Sequence, residues 1–496
     1  MFSSTCILFF LLPCFCKAAN IVLIITDDLD IILDGLTPMK NTLNLVGEKG
    51  ATFVNNFVVT PVCCPNRASI LTGRYQHNHL TINNTISGGC NSPEWQRTQE
   101  TRTFAAYLKN EMNYTTFYAG KYLNEYGSKD AGGVKHIPPG WDWWAGLVGN
   151  SKYYNYSLSI NGTERKYGDK PEDYLTDVMN DLAMEFLNGY NPNDNSFLMV
   201  LSTPAPHAPF TPAIRHIDKF KDIKAKRTPN FNTFTQSDKH WLVRRGPSPL
   251  PNSLLPKLDK IYSRRWETLL AVDELVANVH NMLEKKNLLN DTYIIFTSDN
   301  GYHIGQFSMP IDKRQLYETD IRIPLLITGP GIQPAKVTAP ISSVDLFATI
   351  LQIAGLAYPS DGTSFLRKNL SNDRTVLIEY RGEKYNHKPT NGCPSDNDSN
   401  LYLCDQELAC KCQDAANNTF SCVRRVSPNH DNIFCIFEDQ EAYVEAYDLM
   451  KDIYQMDNIG YTMKPERRYR FRKRLKKMVS CQNEECIFTN LGNTYY

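Results

Sequence analysis

The sequence predicts an α/β protein: a large, mostly parallel central sheet flanked by helices, followed by a smaller C-terminal α+β domain with an antiparallel sheet. Three observations predict this. Apolar, β-branched runs such as Ile21-Val22-Leu23-Ile24-Ile25-Thr26 show no polar alternation and read as strands buried on both faces. Segments of helical periodicity lie between these runs, the order expected of a helix-covered parallel sheet. After about residue 370 the texture shifts to Cys, Asn and Gly. The predicted organisation is a leader over 1–18, a large α/β domain over 19–370 and a Cys-rich α+β domain over 371–496.

The elements follow in order. Residues 6–15 form an apolar run too short to span a bilayer, followed by the small residues Ala18 and Ala19, as in a secretory signal peptide. No later run of 18 apolar residues occurs, so a lumenal or secreted product without a transmembrane segment is expected. After the 21–26 strand, further strands are expected at 52–59, 115–118, 197–201, 293–297 and 324–328. Helices are expected at 103–110, 174–187, 264–286 and 344–353. Beyond 370, a strand is expected at 442–447. The basic run 464–477 places Phe471, Leu475, Met478 and Val479 on one helical face, the pattern of an amphipathic helix docked with its charges in solvent.

Lys+Arg and Asp+Glu both number 53, so no global field points to nucleic acid. Of 14 cysteines, Cys6, Cys14 and Cys16 lie in the leader. Six crowd between 393 and 435, and Cys481 with Cys486 suits a small terminal loop, so disulfides rather than zinc are expected. Sequons at Asn83, Asn113, Asn155, Asn161, Asn290, Asn369, Asn397 and Asn417 add a glycosylated surface to the expectation.

The chemistry concentrates where the strands end. Asp27-Asp28 close the 21–26 run, and Asp299-Asn300 close Tyr293-Ile294-Ile295-Phe296. Open α/β sheets carry their sites at the C-terminal ends of strands. Adjacent buried carboxylates are costly unless a cation shares them. Three carboxylates and an amide oxygen are a hard-cation set, suited to calcium or magnesium. Lys121 follows the 115–118 strand, His207 follows the 197–201 strand, and Lys313 lies in Asp312-Lys313-Arg314. With Arg67 they supply positive charge for an oxyanion.

Cys63-Cys64-Pro65-Asn66-Arg67 opens a helical segment that continues Ala68-Ser69-Ile70-Leu71-Thr72-Gly73. This run, with Ala119-Gly120-Lys121-Tyr122, Thr203-Pro204-Ala205-Pro206-His207 and Ser298-Asp299-Asn300-Gly301, resembles the sulfatases of the alkaline-phosphatase-like superfamily. The resemblance runs from about residue 20 past 480. Asn66 stands where the family usually has Ser. The resemblance implies that Cys63 becomes formylglycine through the formylglycine-generating enzyme, which leaves ten mature cysteines to pair. The aldehyde hydrate then attacks sulfur, the sugar alcohol leaves, and the hemiacetal collapses to release sulfate.

The resemblance further implies one calcium ion held by Asp27, Asp28, Asp299 and Asn300, with modified Cys63 beside or ligating it. Arg67 and Lys121 would hold the hydrate and sulfate, and His207 and Lys313 would contact the sulfate and assist the leaving oxygen. Many sulfatases carry His two residues after the Lys aligned with Lys121. Leu123 stands there, leaving His303 or Asn124 to fill the space. The implied activity is removal of 6-O-sulfate from terminal N-acetylglucosamine in heparan or keratan sulfate, in the lysosome or after secretion. The alternatives are an extracellular heparan sulfate endosulfatase, disfavoured by the absence of a long basic insert, and a non-catalytic glycan-binding protein. Oligomeric state is open, a homodimer included.

Overall fold

The computed structural model describes residues 18–234, 238–384, 392–393 and 398–489. The predicted leader, except Ala18, and the Asn397 sequon lie outside them. Ten strands form the large sheet: β1 (Asn20–Thr26), β2 (Ala51–Phe53), β3 (Thr115–Gly120), β4 (Trp143–Leu147), β5 (Tyr156–Ile160), β6 (Thr163–Tyr167), β7 (Phe197–Ser202), β8 (Thr292–Ser298), β9 (Leu325–Thr328) and β10 (Ala335–Val337). Their order is β10-β2-β9-β8-β1-β7-β3-β4-β5-β6. The central five, β8-β1-β7-β3-β4, are parallel. Antiparallel pairings appear only toward the edges, at β9, between β4 and β5, and in the β5–β6 hairpin.

The seven residues of β1 are all buried, as its unbroken apolar run requires. Val22 and Ile24 pack on one face with α3 (Leu175–Gly189) and α4 (Leu255–Lys285). Ile21, Leu23 and Ile25 pack on the other with α1 (Cys63–Thr72), α2 (Phe104–Met112) and α5 (Asp345–Ile353). The expected 52–59 strand is broken. Its first part is β2, while Asn56–Phe57 pairs with Ile341–Ser342 in a separate small sheet. Asn55 Nδ2 donates to Thr338 O at 2.7 Å and Asn56 Nδ2 to Pro324 O at 3.2 Å, so these side chains draw the backbone out of one ladder. α4 begins at Leu255, nine residues before the expected start, with Pro256 in its first turn where a missing N–H is harmless.

The C-terminal sheet is antiparallel, ordered β14-β13-β12-β11-β15: β11 (Arg374–Tyr380), β12 (Phe420–Ser427), β13 (His430–Phe437), β14 (Val444–Asp448) and β15 (Phe488–Thr489). The basic run forms α6 (Pro465–Met478), which buries Phe471, Leu475 and Met478. Phe57, Val58, Tyr317 and Ile321 share a core with Val376, Ile378 and Ile433, so the C-terminal sheet packs on the small Asn56–Phe57 sheet and on the segment around 317–321. Among the described residues, disulfides join Cys64–Cys90, Cys393–Cys410, Cys404–Cys412, Cys422–Cys435 and Cys481–Cys486, and Cys63 is free. No helix among them is long and apolar enough to cross a membrane.

Candidate active site

Four neighbouring strand ends and one helix start meet at a single point. Asp27 and Asp28 follow β1, and Asp28 holds a left-handed φ of 70°, a conformation that strains a non-glycine residue. The turn is locked by the Asp28 N–H, which donates to Asp299 Oδ1 at 3.0 Å. Asp299 and Asn300 follow β8. A Cβ at the next residue, Gly301, would lie 2.0 Å from the Thr319 carbonyl oxygen, so the turn there requires glycine.

α1 starts at Cys63, and Arg67 sits one turn in. Its Nε donates to Asp299 Oδ2 at 2.8 Å, and its Nη1 donates to Lys121 O at 2.9 Å and Ser202 Oγ at 2.7 Å. One guanidinium therefore ties the ends of β8, β3 and β7 to the helix that carries Cys63. Lys121 Nζ contacts Asp27 Oδ2 at 2.8 Å, and Lys313 Nζ contacts Asp28 Oδ2 at 2.7 Å. His207 Nδ1 donates to Ala208 O at 2.7 Å, which turns Nε2 toward Asp28 Oδ2, 3.7 Å away. Cys63 Sγ lies 3.7 Å from Asp27 Oδ1 and 3.9 Å from Asp28 Oδ1. All these side chains are buried except His207, 23% exposed, which marks the open side.

Burial pushes the Asp27 carboxyl up, but Lys121, His207, Arg67 and Lys313 outweigh it and hold Asp27 well below the usual carboxylate range. Asp28 is lowered in the same way, chiefly by Lys313 against burial. Asp299 goes the other way, raised by burial to about 6 despite Arg67. Burial raises the Cys63 thiol to about 12, so as a plain thiol it is neither ionised nor nucleophilic at ordinary pH. Burial opposes the charge on Lys121 and Lys313, but Asp27 and Asp28 respectively keep both ammonium groups protonated above their ordinary range.

The donor set suits a hard cation. Ligand atoms of Asp27, Asp28, Cys63 and His207 lie within 4.8 Å of one another. Asn300 donates through Nδ2 to Asp28 Oδ1 at 2.7 Å, and its buried Oδ1 has no hydrogen-bond partner. An orphaned acceptor beside two ionised carboxylates is what an oxygen-seeking cation satisfies. Arg67 Nη2 is likewise buried without a hydrogen-bond partner, a donor left for an anion.

Of the expected site residues, Asp27, Asp28, Cys63, Arg67, Lys121, His207, Asp299, Asn300 and Lys313 are therefore brought together. His303 is not. Its Nδ1 bonds the Asp320 carboxylate at 3.0 Å, and among the described residues no hydrogen bond or ion pair joins it to the cluster. Asn124 is buried with its Oδ1 unpartnered, also unconnected to the cluster. Leu123, at the position of the missing histidine, is fully buried in the core.

Two contributors escaped sequence reasoning, Ser151 and Ser202, and a third, Asn66, was marked there only as a departure from the motif. Ser151 donates to Asp27 Oδ2, and Ser202 accepts from Arg67. Asn66 accepts from Val59 N at 3.2 Å and donates to Asp299 O at 2.5 Å, so it bridges the approach to α1 and the end of β8. Ser151 and Ser202 carry no local signal, because a serine in a loop or at a strand end is ordinary. Asn66 did carry one, its departure from the Ser of the motif.

Comparison with known proteins gives consistent results. The family model described as Sulfatase matches residues 19–356. N-acetylglucosamine-6-sulfatases of Capra hircus and Homo sapiens are each 47% identical over 481 residues, which is 95% of this chain and 85% and 86% of theirs. The extracellular sulfatase SULF-1 homolog of Drosophila melanogaster is 41% identical over 74% of this chain but only 33% of its own length. Among solved structures, a protein in complex with its substrate D-glucosamine-2-N,6-O-disulfate aligns with a TM-score of 0.70 and 21% identity, covering 93% of this chain and 97% of that one. A phosphonate monoester hydrolase of Agrobacterium radiobacter aligns at 0.65 with 16% identity, covering 92% and 95%. These structural likenesses are of fold.

Proposed function

The chain belongs to the sulfatase family and is a sulfuric ester hydrolase; from that premise we propose that it removes the 6-O-sulfate of terminal N-acetylglucosamine residues in heparan or keratan sulfate during glycosaminoglycan degradation. The observation that carries this reading is 47% identity to proteins of that specificity over 95% of the chain. The extracellular relative, matched over a third of its length, supports the endo-acting alternative less.

Asp27, Asp28, Asp299 and Asn300 would hold calcium, with residue 63 beside it. Bound calcium supplies a fixed positive charge that polarises an ester oxygen. Formylglycine at position 63 supplies a carbonyl hydrate as nucleophile, where a buried thiol would be inert. Arg67 and Lys121 neutralise the sulfate oxygens, Arg67 through the Nη2 that makes no hydrogen bond within the protein and stands 3.7 Å from Asp27 Oδ1. Lys313 stabilises charge on the departing oxygen. His207, fixed through Nδ1 and partly open to solvent, moves a proton at Nε2. Residues 19–370 form the catalytic domain in this reading and 371–496 a supporting α+β domain. The protein meets the formylglycine-generating enzyme in the secretory pathway and acts in the lysosome. Exposed Asn113, Asn155, Asn161, Asn290 and Asn369, with half-buried Asn83 and Asn417, are its candidate glycosylation sites.

The test is a mass spectrum of the reduced tryptic peptide 50–67 from protein secreted by eukaryotic cells, with sulfate release from N-acetylglucosamine 6-sulfate measured before and after chelation. An aldehyde at residue 63 and chelator-sensitive release are expected. An intact thiol on every molecule, from cells that convert a control sulfatase, would overturn the mechanism.

A further inference from the structure

The catalytic cluster is flanked, on the β3–β6 side of the sheet, by two clefts of opposite charge. The first is walled by the segment after β4 and by the facing ends of β5 and β6, and the second by the segments after β3 and β4 and by residues 85–87. The first cleft, about 310 Å³, is walled by Lys152, Lys166 and Tyr167 and also by Asn155 and Val148. The second, about 540 Å³, shares Val148 but carries Glu125 and Asp130.

The first cleft is tied directly to the site. Ser151 donates to Asp27, and Tyr153 OH donates to His207 O at 2.7 Å. The two neighbours of Lys152 therefore face the cluster, while Lys152 itself is exposed in the cleft one residue away. Lys166 stands opposite Ser157 on the β5–β6 ladder. Among the described residues neither lysine forms an ion pair. Arg165 lies over the Tyr167 ring at 5.1 Å and adds positive charge. Glu164 on the same hairpin accepts at 2.8 Å from Oγ of Ser157, which lines the cleft.

We propose that the cleft of Lys152 and Lys166 is a subsite for an anionic sugar next to the sulfated one, so that the enzyme prefers chains in which that neighbour is a uronate over chains in which it is neutral. This rests on the function proposed above and deepens it. A cleft of this size is at the lower end of those that hold a small ligand. A uronate is repelled by Glu125 and Asp130 on one side and paired by two free ammonium groups on the other. Heparan sulfate offers such a neighbour, and keratan sulfate offers a neutral galactose. The magnitude is that of one or two exposed ion pairs, a preference of about threefold to tenfold at low salt.

The experiment compares kcat/KM on three substrates: N-acetylglucosamine 6-sulfate alone, the same sugar linked to a uronate, and the same sugar linked to galactose. The wild-type glycoprotein is assayed beside Lys152→Gln/Lys166→Gln and Asn155→Gln. The wild type is expected to favour the uronate disaccharide. In the double variant that ratio should fall to about one while the monosaccharide rate stays unchanged, and 0.5 M salt should do the same to the wild type. Equal rates on both disaccharides, or a ratio retained in the double variant, would overturn the proposal. So would a preference seen only in Asn155→Gln, since a glycan on Asn155 would then fill the cleft. Failure of the wild type on all three substrates would overturn the proposed function, and this inference with it.

Discussion

Two regions of this molecule bury ionised side chains, and they do so in opposite ways. Where the C-terminal sheet and its flanking segments meet the segment 314–318 and the start of α5, buried arginines have matched carboxylates. Arg424 Nε and Nη2 donate to the two oxygens of Glu318 at 2.9 and 3.4 Å. Arg374 forks onto Asp345, and Arg314 Nε and Nη2 both reach Glu383 Oε2, at 3.1 and 2.9 Å. At the strand ends of β1 and β8, by contrast, Asp27, Asp28 and Asp299 crowd together with three cations, Asn300 Oδ1 has no hydrogen-bond donor, and Arg67 Nη2 has no hydrogen-bond acceptor, with Asp27 Oδ1 3.7 Å away. Bidentate pairs with satisfied geometry hold layers together. Like charges side by side with orphaned atoms are an arrangement that a ligand completes.

Substitutions can break this contrast. Lys313→Ala is expected to lower kcat by about 10²–10³-fold, the scale of one lost charge-stabilising donor. The calcium-loaded protein should change little in thermal midpoint, and a large loss of stability at unchanged kcat would reverse the assignment of regions. Arg424→Ala should do the opposite. It leaves buried Glu318 without this partner and is expected to cost about 3–5 kcal/mol in denaturant unfolding, with kcat of the folded fraction unaltered. Arg322 Nε, 2.8 Å from Glu318 Oε2, would soften that loss, so a double variant with Arg322→Ala should be worse than either alone.

Asn66→Ala sharpens the contrast at its border. It deprives Val59 N–H and the Asp299 carbonyl of their bridge, for an expected loss of about 1–3 kcal/mol. Because Asp299 also shifts, calcium affinity read by titration calorimetry should weaken. Asn66→Ser should recover part of both, and an unchanged calcium affinity would make Asn66 a packing residue only.

The smallest effect is a pH dependence. His77 Nδ1 faces Glu379 Oε2 at 2.7 Å and Nε2 faces Cys481 O at 2.9 Å, two acceptors that only the imidazolium satisfies together. Burial pushes its pKa down, but Glu379, the Cys481 carbonyl and Asp361 raise it above its ordinary value. The stabilisation is thus complete below about pH 6.5, the unfolded value, and fades as pH rises through the higher folded value. His77→Gln should flatten thermal stability against pH across that window. An identical slope in the variant would remove His77 from the account.

Much of the site was legible because its ligands sit where chain pattern and topology coincide. Asp27-Asp28 and Asp299-Asn300 each end an unbroken apolar run, and such runs become central parallel strands with their C-terminal ends on one side. Cys63, Pro65 and Arg67 were legible as a spaced motif. His303 stands outside the hydrogen-bonded cluster because its pairing with Asp312 sets its Nδ1 on the Asp320 carboxylate, a long-range arrangement that no local pattern in the sequence specifies. The 52–59 strand was overread because its hydrophobicity suits a strand, while Asn55 and Asn56 find carbonyls outside one ladder.

By itself, then, the sequence determined the α/β class, the buried central strands, the docked face of α6 and most members of the buried cluster at the strand ends. These follow from local periodicity and from side-chain chemistry, which the chain carries wherever it folds. Only the tertiary structure decided that Arg67 ties three strand ends, that Ser151 reaches Asp27, that Asn66 bridges to Asp299, and that Lys152 and Lys166 share a cleft. Each of these joins residues separated by 14 to 233 positions. Such contacts depend on strand order and register, which are fixed by burial of the whole sheet rather than by any one segment.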